Sequence, residues 1–141
     1  MSFLSSLKKL LLDYGLELSC YSISNNFCLR DPSARRVQEE YVRRGIDVAL
    51  YLGAPILRIF AGFIPEGMTK KEAMKFSLES LKRVVRYAEE RGVVLALENH
   101  DRRGVAATPN DVLFFLKAVN SPYLRLNLDT ANFGVDENVY E

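Results

Sequence analysis

Residues 93–101 read VVLALENHD, and this stretch decides the fold. Val93, Val94, Leu95, Ala96 and Leu97 form an unbroken apolar run directly after Gly92. A short, branched run bounded by glycine predicts a buried β-strand over 93–97. It passes without a turn residue into Glu98, Asn99, His100 and Asp101, and His100 is the only histidine in the chain. Such an ending places polar groups at the carboxyl end of a strand, where parallel α/β sheets assemble their sites.

Outward from this strand, helical and extended periods alternate. Upstream, Thr69-Lys70-Lys71-Glu72 has the form of a capping box, in which Thr and Glu satisfy each other's free amides. The helix it opens carries Ala73, Phe76, Leu81, Val84, Val85 and Ala88 on one face and stops at Gly92. Before it comes a strand over Ile56–Phe60, preceded by a helix that Asp31-Pro32 opens and Gly53 closes. The predicted buried stripe of that helix is Val37, Tyr41, Ile46, Ala49 and Leu50. A strand over Leu16–Tyr21 and a first helix through Phe3, Leu4, Leu7, Leu10, Leu11 and Tyr14, ended by Gly15, complete the amino-terminal part. Downstream, Thr108-Pro109 opens a helix with Val112, Phe115, Leu116 and Val119 inward, and Asn120-Ser121-Pro122 breaks it. The last strand, Leu124–Leu128, runs into DTANFGVDENVYE, near the start of a further helix.

The order is therefore α-β-α-β-α-β-α-β, without a linker or low-complexity segment, and predicts one domain over 1–141. Strands joined by helical crossovers are parallel and share a sheet. The fold class is α/β. Strand faces favour (β/α) units of a TIM barrel over an open sheet. Leu124, Leu126 and Leu128 share one face while Arg125, Asn127 and Asp129 take the other, and Arg58 sits likewise between Leu57 and Ile59. An open sheet covered on both sides is more often apolar on both.

Composition narrows the function classes. Lys+Arg 19 against Asp+Glu 18 gives a net charge of +1, so no global field favours nucleic acid or an anionic membrane. The basic pairs Arg35-Arg36, Arg43-Arg44 and Lys70-Lys71 lie in Glu-rich helical stretches and read as solvated faces. Cys20 and Cys28 form no metal or CxxC pattern and read as reduced thiols. The amino-terminal MSFLSSLKKLLLDYG lacks the layout of a targeting signal, and no apolar run reaches the roughly 18 residues of a membrane span. A cytoplasmic location is expected. No GxGxxG or Walker-type loop occurs, so no nucleotide cofactor is expected.

The runs LGAPILRIFAG, GVVLALENHD and LRLNLDTANF, in this order, resemble the xylose-isomerase-like barrels. That group holds sugar isomerases and epimerases, inosose dehydratases and endonuclease IV. The resemblance covers nearly the whole chain and matches the second to fifth strands of such a barrel. It implies that Glu98 is a divalent-metal ligand that also moves a proton, and that Asp129 is a second ligand. The histidine that many members carry three residues after that aspartate is here Asn132, as in members with a DTGN-type sequence. This departure favours sugar chemistry over an endonuclease. His100, Asn132 and Asn26 are expected to contact substrate, with His100 assigned either to substrate or to the shell behind the ligands.

The chemistry is sound on general grounds. Abstracting a proton beside a carbonyl creates an enediolate, whose charge a divalent ion stabilises. Carboxylates suit Mg²⁺ or Mn²⁺, with Co²⁺ also in range, and one carboxylate can double as base. Plainer readings stand beside these. Glu98 could be a strand-end ion pair, Asp129 the cap of a following turn, His100 a hydrogen-bonded loop residue, and Arg58 an ion-pair partner inside the sheet. Phe114, Phe115, Tyr123 and Phe133 read as core.

A complete barrel of this kind needs about 250 residues and eight strands. The chain of 141 residues supplies four, and the family's later histidine and glutamate ligands have no counterpart in it. The expectation is thus a half-barrel or fragment. The first reading is a metal-dependent sugar or sugar-phosphate isomerase or epimerase acting on a small-molecule sugar, or a truncated and inactive form of one. The alternatives are a non-catalytic half-barrel serving as an oligomer or partner subunit, and an inosose-type dehydratase. Bare parallel edges invite pairing, so a homo-oligomer that covers them is also expected.

Overall fold

The computed structural model describes residues 3–133; the expected start of a further helix lies outside them. The element order is α1 (Phe3–Asp13), β1 (Tyr21–Ser22), α2 (Pro32–Leu52), β2 (Ile56–Phe60), α3 (Lys70–Arg91), β3 (Val94–Glu98), α4 (Pro109–Val119) and β4 (Leu124–Asn127). The strands form one sheet in the order β1-β2-β3-β4, and every neighbouring pair is parallel. Each crossover carries one helix, as the alternation of periods requires. No helix of the described residues is long and apolar enough to cross a membrane.

Local signals set the helix limits. Asp31 accepts the Ser33 and Ala34 amides ahead of Pro32, and Thr69 and Glu72 form the expected capping box. Thr108 and Asp111 form a second capping box at α4. Gly53 and Gly92 end α2 and α3 in the left-handed conformation.

One face of the sheet carries the core. Leu57 and Ile59 of β2, Leu95 and Leu97 of β3, and Leu124 of β4 are buried with Ile46 and Ala49 of α2, Leu81, Val84, Val85 and Ala88 of α3, and Val112 and Phe115 of α4. The other face carries Arg58, Ala96, Glu98, Arg125 and Asn127, in agreement with the barrel-type alternation. Both cysteines are free thiols, and burial, against a hydrogen bond with Ser77, pushes the Cys28 thiol up to about 11.

The structure corrects several expectations. β1 covers Tyr21–Ser22 rather than Leu16–Tyr21. It is an edge strand, and Leu16 lies exposed ahead of it. β3 starts and ends one residue later than expected and so includes Glu98, while β4 stops at Asn127. On α2, Val37, Tyr41 and Leu50 are exposed, and the buried residues are Arg35, Glu39, Val42, Gly45, Ile46, Ala49 and Leu52. Arg35 is therefore no part of a solvated face. Its guanidinium lies 4.4 Å from the Phe76 ring centre and donates to the carbonyls of Leu29 and Arg30. Phe114 is exposed, unlike Phe115, because only one of two adjacent helical positions can face the sheet. Leu126 and Leu128, at 40% and 51% exposure, are uncovered on the helix side of β4.

Glu39 shows how a charge enters the seam between α2 and α3. It accepts from Ser80 Oγ at 2.7 Å, Arg83 Nε at 3.0 Å and Arg83 Nη2 at 2.7 Å. Burial alone would raise its carboxyl. The hydrogen bonds from Arg83 and Ser80, with the charges of Arg83 and Arg43, outweigh burial and hold it below the ordinary glutamate value. A folded-state value below the unfolded one gives stability that is present above the unfolded value and lost as pH falls through the folded one. Glu39→Gln is thus expected to cost about 1–2 kcal/mol at neutral pH. Thermal unfolding at neutral pH and below the ordinary glutamate range should show that deficit shrinking with acid. An equal deficit at both would contradict this account.

Candidate functional site

The carboxyl ends of the strands form a connected rim. After β1, Asn25 donates through Nδ2 to the Phe60 carbonyl at 2.8 Å and accepts the Phe60 amide through Oδ1 at 3.0 Å. Asn26 Oδ1 accepts the amides of Cys28 and Phe63, at 2.9 and 3.0 Å. The loops after β2 and β3 then pair, with Val105 N donating to the Gly62 carbonyl and Ile64 N to that of Arg103. His100 lies against both loops, its ring centre 5.2 Å from Phe60 and 4.7 Å from Phe63 in edge-on contacts. Its Nδ1 lies 2.8 Å from the Asp101 amide nitrogen and 3.1 Å from Asp101 Oδ1, which ties the ring to the turn after β3.

Glu98 ends β3 on the polar face. Its Oε2 accepts from Asn127 Nδ2 at 2.6 Å and lies 3.4 Å from Arg58 Nε. Arg58 also donates to the Ile23 carbonyl at 2.9 Å and lies over the Phe60 ring. The expected ion pair inside the sheet is therefore present. Both contacts fall on Oε2, so Oε1 of Glu98 faces no partner among the described residues.

Asp129 follows β4. The register pairs Glu98 with Asn127, which places Asp129 two residues further along the neighbouring strand, beyond the ladder. Asp129 Oδ1 accepts the Ala131 amide at 2.9 Å, so the turn-capping role is real, and Oδ2 accepts from Asn132 Nδ2 at 3.0 Å. Asn132 Nδ2 also donates to the Asn99 carbonyl at 3.1 Å. Among the residues proposed from sequence, the rim thus brings Glu98, Asp129 and Asn132 onto adjoining strand ends. His100 joins the aromatic wall beside them, and Asn26 lies further along, holding the turns after β1 and β2.

Three contributors escaped the sequence reading. Asn127 shares a strand face with Asp129 at a spacing of two, a signal that could have marked it. Asn99 was marked only as one of the polar residues closing its strand and Phe63 not at all, because their contacts depend on how neighbouring strand ends meet.

Residues 4–139 match the model of a family described as the xylose isomerase-like TIM barrel. The chain belongs to this family. Among its curated relatives are an L-ribulose 3-epimerase of Methylomonas sp. strain DH-1, 28% identical over 93% of this chain and 49% of the relative, and a ketose 3-epimerase of Arthrobacter globiformis, 28% identical over 93% and 48%. A solved structure of a Sinorhizobium meliloti 1021 protein superposes with a TM-score of 0.83 at 25% identity, over 94% of this chain and 50% of that one. The chain spans about half the length of the curated relatives it matches. In this xylose isomerase-like frame the observed strands are parallel barrel units, and the rim described above is the side on which barrels carry their chemistry.

Proposed function

We propose that the chain supplies the carboxylate half of a divalent-metal-dependent sugar 3-epimerase or isomerase site, with Glu98 as the base. One observation carries this reading: Glu98 and Asp129 stand at the carboxyl ends of adjacent parallel strands, each oriented by an asparagine amide. The donor chemistry fits a hard ion such as Mg²⁺, Mn²⁺ or Co²⁺, for which carboxylate oxygens are the usual ligands. Among the described residues no group of three or more His, Cys, Asp or Glu side chains gathers as a cage, so these two contribute part of a shell of about six oxygens. A divalent ion held there supplies charge stabilisation to the substrate oxygen during proton transfer.

The residues divide the remaining work. Arg58 and Asn127 fix the Oε2 edge of Glu98, which leaves Oε1 to take a proton from the carbon beside a ketose carbonyl. The electron pair of that C–H bond passes to the carbonyl carbon–oxygen unit. A proton supplied from solvent to the opposite face inverts the carbon, with Glu98 giving up its own to solvent, and return of the Glu98 proton at the former carbonyl carbon interconverts aldose and ketose. The wall of Phe60, Phe63 and His100 suits the C–H face of a sugar, and the imidazole edge of His100 can hydrogen-bond its hydroxyls. Asn26 Nδ2 and Asn132 Oδ1, the amide atoms not used in the rim, complete the proposed sugar contacts.

Incubation of L-ribulose with the protein and Mn²⁺ in D₂O tests this. Deuterium is expected at the carbon beside the carbonyl, read by NMR. A ketose that stays unlabelled would overturn the reading. Loss of water from an inosose with no labelled epimer would instead favour the dehydratase.

A second reading rests on the edges. Among the described residues β1 and β4 are the edge strands, and Leu126 and Leu128 are exposed beside β4. A non-catalytic half-barrel would cover them with a second copy or a partner subunit. Sedimentation of the purified chain is the measurement, and an inert monomer would count against this alternative.

A further inference from the structure

We infer that Asn99 is a positioning residue for Asp129, and that it controls divalent-ion affinity without touching the ion. The inference rests on the proposed metal role of Asp129. Asn99 is fully buried, with 0% exposure, at the first position after β3. Its Oδ1 accepts the Asp129 amide at 2.8 Å, and its Nδ2 donates to the Asp129 carbonyl at 2.8 Å. The side-chain amide thereby acts as one more rung of a parallel ladder, beyond the last residue of β4.

Without that rung the backbone of Asp129 has no strand partner among the described residues, since the β3–β4 register ends at Glu98 and Asn127. The hold extends to the carboxylate. The Asn99 carbonyl accepts Asn132 Nδ2, and that same nitrogen donates to Asp129 Oδ2. Asn99 therefore fixes the main chain of Asp129 from one side and, through Asn132, its side-chain rotamer from the other. Groups that orient a ligand in this way set the geometry offered to an ion.

The rim contains its own control. Asn25 makes the same two-point clamp on Phe60, is equally secluded at 2% exposure, and holds an aromatic residue rather than a carboxylate. A purely structural role would make the two asparagines equivalent. A positioning role separates them.

The test is Mn²⁺ binding by the full chain, followed by electron paramagnetic resonance of free Mn²⁺, with thermal unfolding measured alongside. Asn99→Ala is expected to weaken Mn²⁺ roughly 10–100-fold, the range seen when groups behind a ligand are lost. Asn25→Ala should lose comparable thermal stability and keep the wild-type affinity. Should Asn99→Ala fail to fold, Asn99→Ser keeps a polar group too short for the two-point clamp and is expected to show the same loss of affinity. Wild-type affinity in a folded Asn99 variant, or an equal loss in Asn25→Ala, overturns the role of Asn99 alone. A wild-type chain that ignores millimolar Mn²⁺ overturns the metal reading and this inference with it.

Discussion

Glu98→Gln is expected to lower deuterium incorporation beside the ketose carbonyl by about 10²–10⁴-fold, the usual contribution of a positioned general base. Glutamine has nearly the same shape but cannot take up the proton. The substitution should spare the fold. Arg58 keeps its bond to the Ile23 carbonyl and its place over Phe60, and Asn127 still finds an amide oxygen at position 98. A loss of about 1.5–3 kcal/mol is expected from the broken pair, since both partners are mostly secluded from solvent, at 22% and 15% exposure. Labelling rates by NMR, with thermal unfolding beside them, check both statements. Undiminished labelling in a folded Glu98→Gln variant would remove Glu98 from the chemistry.

Gly62→Ala is expected to have the largest effect on stability. Gly62 has φ +130°, a conformation that side chains rarely adopt, and an added Cβ would lie 2.5 Å from Asn26 Oδ1, 2.8 Å from Cys28 Sγ and 2.9 Å from Cys28 N. Asn26 Oδ1 already holds the amides of Cys28 and Phe63, and Cys28 is buried, so neither side can yield cheaply. Backbone strain and overpacking together should cost about 3–5 kcal/mol, a large part of the roughly 5–15 kcal/mol that stabilises a typical domain. Gly67→Ala provides the contrast. It also has positive φ, at +72°, but its Cβ would meet nothing within 4 Å. Only the conformational cost remains there, about 1–2 kcal/mol. Urea midpoints measure the difference, and equal losses at the two positions would contradict the packing argument.

Much of the fold was legible because its signals are local. The Thr69 capping box, Asp31-Pro32 and the stop glycines depend on a few neighbouring residues, and each appears where the sequence placed it. The alternation along 93–98 and 124–128 separated the helix side of the sheet from the polar side. The buried face of α2 was hidden for a definite reason. It runs through Arg35 and Glu39, which enter the seam only because Phe76, Ser80 and Arg83 of α3 receive them. No periodicity of apolar residues within α2 encodes that exchange between helices. The first strand was overestimated because apolar character at Leu16 and Leu18 says nothing about whether an edge has a neighbour.

The candidate site divides along the same line. Glu98, Asp129 and Arg58 stood out as polar residues at strand ends or within strands, and the structure places them on the polar face or its rim. Asn26 and Asn132 stood out as substrate contacts, but Asn99 and Asn127 were given no role. Asn99 and Asn127 take their meaning from the strand beside them, through bonds spanning about thirty residues of sequence. Asp129 also joins two readings that the sequence kept apart, since its carboxylate caps a turn while retaining lone pairs on both oxygens.

The most direct measurement is a calorimetric titration of Mn²⁺ into the wild-type chain, with Glu98→Gln and Asp129→Asn titrated under the same conditions. The account expects a single site in the wild type that both substitutions abolish, because each removes one of the two carboxylates at the ends of β3 and β4. No binding by the wild type, or binding that survives both substitutions, would contradict it.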